Sequence, residues 1–131
     1  MNIIKVISIF SVFIILILFT PNLKSQTIYF CEANSTDGEP KGEKSKFSYD
    51  PYKDNVIYIL VKFPSAYGCN QIKFRREKLG EPGPVSWVDI DPNAVWICYE
   101  MDMPQFGDYT LTVFDCNDAV IGKGSVTMVS K

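Results

Sequence analysis

Four cysteines, Cys31, Cys69, Cys98 and Cys116, and a run of carboxylates and amides near residue 90 are the residues of this chain best suited to chemistry. The chain has no histidine. That removes Ser-His and Cys-His nucleophilic catalysis and any imidazole-bound metal. A zinc site would have to be all cysteine, and the cysteine spacings contain no CxxC pair. Carboxylate acid–base chemistry is open to Asp89, Asp91, Glu100 and Asp102, although aspartates beside Pro and Asn are more commonly turn and cap residues. The segment DIDPNAVWICYE, residues 89–100, also sets Asp89, Asp91, Asn93 and Glu100 at positions 1, 3, 5 and 12 of a calcium loop. Ala94 stands where such a loop needs Gly, Pro92 stiffens its fourth position, and residues 95–101 read as strand. A polar turn is the better reading, and no cofactor is expected.

Recognition without catalysis has more to work with. Aromatic side chains exceed the needs of one small core, so some belong outside. Trp87 and Trp96 sit in successive strand-like segments. They would form an exposed platform for a sugar or peptide, or fill the gap between two sheets, which is the favoured reading. Lys73, Arg75, Arg76 and Lys78 form a basic group, read as a solvated sheet face or a patch for an acidic glycan or protein. Asn34-Ser35-Thr36 is a glycosylation sequon in a polar loop.

These residues need a scaffold, and the N-terminus indicates where that scaffold works. Lys5 precedes the uncharged run VISIFSVFIILILF, Pro21 breaks it, and Leu23-Lys24-Ser25 offers a cut before Gln26. Residues 1–25 are read as a signal peptide, the alternative being a retained N-terminal anchor. Residues 26–131 form one domain of common size. Its export implies a secreted, periplasmic or cell-surface protein. With the leader removed, basic residues fall from 13 to 11 against 15 acidic ones, a net charge of −4. A mildly acidic chain is a poor partner for nucleic acid or, once the leader is cut, for an anionic membrane. An even cysteine count in an exported chain favours disulfides.

The mature region alternates short β-branched or aromatic runs with Gly, Pro, Asn and Asp, the pattern of an all-β protein. Strands are predicted over residues 27–33, 47–49, 55–63, 71–78, 85–90, 94–101, 108–115 and 120–129. QIKFRREK, residues 71–78, alternates Ile72 and Phe74 against Lys73 and Arg75. NVIYILVKF, residues 55–63, is almost continuously apolar, as a central strand should be.

In FGDYTLTVFD, Gly107-Asp108-Tyr109 opens a strand with Tyr109, Leu111 and Val113 on one face. This resembles the start of strand F in immunoglobulin-like and fibronectin-type domains, where such a Tyr forms a tyrosine corner by bonding backbone upstream. The chain is similar to secreted bacterial immunoglobulin-like modules. The resemblance implies a two-sheet sandwich of about seven strands. Leu111 stands where antibody domains carry Cys, so their disulfide cannot be built. The resemblance instead implies that strand 71–78 pairs antiparallel with 108–115, bringing Cys69 and Cys116 to one end. Cys31 and Cys98 remain as a second pair, provided their strands adjoin or face across the core.

Such a sandwich implies a non-catalytic binding module for an unknown protein or glycan. The runner-up is an inhibitor of an extracellular enzyme presenting the end loops 64–70 and 102–106, and an enzyme comes third. The leader is checked directly: N-terminal sequencing or intact mass of exported protein should give a start at or within a few residues of Gln26. Full-length protein recovered in the membrane fraction would overturn the cleavage.

Overall fold

A computed structural model describes residues 27–130, so the segment read as a signal peptide lies outside the described residues. Eight strands follow in order: β1 (Thr27–Cys31), β2 (Lys46–Tyr49), β3 (Val56–Lys62), β4 (Gln71–Lys78), β5 (Val85–Asp89), β6 (Trp96–Asp102), β7 (Gly107–Phe114) and β8 (Val120–Ser130). They form two sheets, β1-β3-β6 and β2-β8-β7-β4-β5. All pairings are antiparallel except β2 with β8.

The two-residue period of a strand decides what lies between the sheets. Ile57, Ile59 and Val61 of β3 face Ile72 and Phe74 of β4 and Leu111 and Val113 of β7, all in one buried cluster. Each such side chain contributes about 1.5–3 kcal/mol on leaving water. Phe74 and Tyr99 cross the gap with ring centroids 4.7 Å apart. At the foot of β7, the buried Tyr109 donates its hydroxyl to the Gln105 carbonyl at 2.7 Å. This is the tyrosine corner expected from the GDY motif.

β3 is buried on both sides, which explains its continuous apolar run. On its outer side Leu60 is 0% exposed, and Cys31 beside it is buried too. Neither belongs to the inter-sheet cluster. Their cover is the polar segment 32–45, which folds back over the three-stranded sheet. Ser35, 3% exposed, turns its backbone N–H toward Cys98 Sγ at 3.4 Å. Gly38 has φ +80° and packs so closely on Trp96 that a Cβ would meet the indole at 2.6 Å. Only Gly satisfies both the left-handed backbone and the space. The same segment closes the free edge of β1, through Glu32 N–H to the Gly42 carbonyl and Lys44 N–H to the Phe30 carbonyl.

Loops 63–70, 90–95 and 115–119 gather at one end, here the upper one. Tyr67 N–H bonds the Ala94 carbonyl and Gly68 N–H the Pro92 carbonyl. Asp115 closes the β7–β8 turn by accepting from the N–H groups of Asn117 and Ala119. Cys69 and Cys116 are joined there, with Cα atoms 6.0 Å apart. The anticipated second bridge is corrected: Cys31 and Cys98 are free thiols. β1 and β6 lie on opposite sides of β3, so they neither adjoin nor face across the core. Two strand spacings, about 10 Å, exceed the ~7 Å limit for bridging Cα atoms.

Peptide mapping of unreduced protein should therefore give a Cys69–Cys116 linked peptide and two alkylatable thiols after denaturation. Replacing Cys69 and Cys116 by Ser should cost about 2–4 kcal/mol in chemical denaturation. A Cys31–Cys98 linked peptide would contradict the sheet order.

Candidate functional site

The side chains singled out in the sequence are distributed by strand alternation. Trp87 and Trp96 neither fill the gap between the sheets nor form one platform. Trp87 is on β5 and Trp96 on β6, in different sheets. Both have the parity opposite to the buried cluster, so they point outward on opposite sides of the sandwich. Trp96 is partly covered by Gly38, whereas Trp87 is 49% exposed.

The basic group of β4 is divided in the same way. Lys73 and Arg75 lie on the outer face, while Arg76 and Lys78 share the parity of Ile72 and Phe74 and emerge at the lower end. Arg76 donates to the Asp102 carbonyl and lies over the Tyr109 ring. Lys78 donates to Gln105 Oε1 at 2.9 Å.

The calcium ligands do not converge. Asp89 ends β5 and meets Gln71 Nε2 at 3.3 Å. Asp91 caps its own turn, taking the Asn93 N–H at 2.9 Å. Glu100 lies on the other sheet. Among the described residues, no group of three or more His, Cys, Asp and Glu side chains could hold a metal ion. The same separation leaves Asp89, Asp91, Glu100 and Asp102 without a shared site. The loops 64–70 and 102–106 sit at opposite ends of β3, bonded near Phe63 and Asn55 respectively. They cannot enter one cleft together.

What the fold does assemble is a transverse row on the outer face of the five-stranded sheet. Trp87 is opposite Lys73, Lys73 opposite Phe114, and Phe114 opposite Val120. The Lys73 ammonium lies 5.0 Å from the Trp87 ring centroid and 4.5 Å from that of Phe114. It also meets Asp118 Oδ1 at 2.5 Å. Arg75 adds its guanidinium over Phe114 at 5.0 Å. Trp87 and Val120, the two ends of the row, are exposed, with Val85 beside Trp87. Gln71 and Asp89 form the next cross-strand pair above Trp87. The row adjoins the disulfide-tied upper end. The sequence held half of this signal, the alternation of β4. Its neighbours on β7 and β8 could not be named without the register.

The chain matches no protein-family model and no curated protein. Among solved structures it is similar to an immunoglobulin-like protein from Pseudomonas aeruginosa. There the TM-score is 0.53 at 12% identity, over 79% of this chain and 92% of that one. The fold is immunoglobulin-like. A superoxide reductase (neelaredoxin) from Ignicoccus hospitalis scores 0.46 at 9% identity, covering 82% of this chain and 80% of its own. A CARDB domain from Pyrococcus furiosus, in complex with di-metal ions, scores 0.44 at 13% identity, covering 82% and 97%.

The immunoglobulin-like sandwich also sets the titration of the half-buried Tyr67 and the buried Tyr109. Burial, and then the charge of Asp115, push the Tyr67 hydroxyl up to about 12. It donates to the Gln71 carbonyl at 2.8 Å. Burial raises Tyr109 as well. Above the ordinary tyrosine value near ~10, the unfolded chain gives up these protons first. Stability is thus fully present below that pH and is lost as pH rises toward about 12. Denaturation midpoints across this window should fall for the wild type and fall less steeply for Tyr67→Phe. Equal slopes would remove Tyr67 from the account.

Proposed function

We propose that this chain is a non-catalytic binding module, exported to the periplasm, the cell surface or the medium, that holds a glycan on the outer face of β5, β4 and β7. The observation that carries this reading is the half-exposed Trp87 indole at the end of the Trp87–Lys73–Phe114 row. A pyranose presents an apolar C–H face that stacks on an indole, and its hydroxyls need polar partners around the ring. Gln71, Asp89 and Lys73 supply carboxamide, carboxylate and ammonium groups next to Trp87. Sheet strands hold these groups more rigidly than loops would. The absence of histidine and the dispersal of the carboxylates fit a role without bond-breaking. The Cys69–Cys116 bridge fits a compartment outside the reducing cytosol. Among the described residues, no helix is long and apolar enough to cross a membrane.

A protein partner is the main alternative occupant of this face. The end-loop inhibitor has less behind it, because loop 64–70 is tied back by hydrogen bonds to residues 92 and 94 and by the disulfide.

A glycan array probed with the mature protein should show binding to a defined oligosaccharide class. Trp87→Ala should weaken that binding about 30-fold or more, the measure of an aromatic anchor. The domain itself should stay folded, since the ring is half in water in the single chain. No glycan bound by the wild type, or undiminished binding by Trp87→Ala, would refute the glycan reading. Capture of a protein with loss on Trp87→Ala would reassign the same face to a protein partner.

A further inference from the structure

The main-chain hydrogen bonds of β5 have a direction that follows from two observed contacts. Arg76 N–H bonds the Pro84 carbonyl, and Ile90 N–H bonds the Asn70 carbonyl. In a strand, the N–H and C=O of one residue point to the same side and the side alternates. Residues 84, 86, 88 and 90 therefore turn toward β4. Val85, Trp87 and Asp89 turn both of their main-chain groups away from it. No described strand pairs with that side, because β5 ends its sheet.

The other edges are guarded. Segment 41–44 is bonded along β1, β2 is four residues long and carries Lys46, and β6 carries Glu100 and Asp102. Short strands and charges are the usual protection of an open edge. The free groups of β5 are instead flanked by two exposed apolar side chains, Val85 and Trp87.

We infer that β5 pairs antiparallel with β5 of a second copy of this chain, about a two-fold axis at Trp87. The strand is self-complementary in that register. Trp87 lies opposite its own counterpart, and Val85 lies opposite Asp89 on each side of the axis. All three are outward-bonding positions, so each pair exchanges both of its hydrogen bonds. The one charged side chain of the strand, Asp89, meets a valine and never its like. Two indoles meet side by side at the centre, a favourable cross-strand aromatic pair. An isologous pairing of this kind closes on itself as a dimer and leaves no new free edge at the junction. The two five-stranded sheets become one, and the Val120–Phe114–Lys73–Trp87 row continues across the axis into its mirror sequence. This dimer does not depend on the glycan reading, since it is measured without any ligand.

Sedimentation equilibrium of the mature protein over a concentration series should show a monomer–dimer equilibrium. Trp87→Lys and Trp87→Glu each set like charges opposite one another at the axis. Each should be a cooperatively folding monomer, and an equimolar mixture of the two should recover the dimer. A wild type that stays monomeric throughout, a Trp87→Lys variant that still dimerises, or a mixture that stays monomeric would each overturn the pairing.

Discussion

The contact of Phe74 with Tyr99 is where the two sheets lock together, and much else follows from it. Phe74 is at the centre of β4, the strand that pairs with both β5 and β7. Once that ring faces inward, the two-residue period leaves Lys73 and Arg75 no choice but the outer face. A slip of one residue would bury two cations and expose Ile72 and Phe74, at a cost the fold could not bear. The position of the Trp87 row is thus set by what is packed behind it. The same argument runs along β7, where burying Tyr109, Leu111 and Val113 turns Phe114 outward beneath the Lys73 and Arg75 side chains.

The elements were legible because each carries its own local signal. The sandwich expected to have about seven strands has eight, and the predicted ranges match the observed strands within two residues or so at their ends, since alternation and turn residues act over short range. The GDY motif pointed to a tyrosine corner because a buried phenol must find an acceptor, and Gln105 provides it. The Cys69–Cys116 bridge followed once the pairing of β4 with β7 was fixed. What failed was whatever depends on sheet membership. Trp87 and Trp96 are close in sequence, yet β5 and β6 belong to different sheets, so their indoles lie on opposite sides of the molecule. The second cysteine pair failed for a related reason, since β3 stands between its members.

The polar segment from residue 34 to 45 was the least legible part. Its composition, rich in Lys, Glu, Gly and Ser, reads as a solvated loop. It nevertheless covers Leu60 and Cys31, using one buried serine and one glycine where a hydrophobic cover would have been recognisable. Arg76 and Lys78 were similarly misread as part of one basic face. They share the parity of the core but lie beyond its lower margin, where long side chains carry their charges out to water.

The parallel pairing of β2 with β8 has a mechanical side. The N-terminal end of β2 and the C-terminal end of β8 lie at opposite ends of that ladder, which runs from Lys46–Thr127 to Tyr49–Ser130. Once β1 has come away from β3, tension through the two termini therefore slides β2 along β8. The bonds of the ladder must give way together and cannot open one by one. Should they yield, the Cys69–Cys116 link still encloses β4 to β7. Only the flanking strands can then be drawn out, and a tethered copy of the domain stops lengthening well short of its full contour.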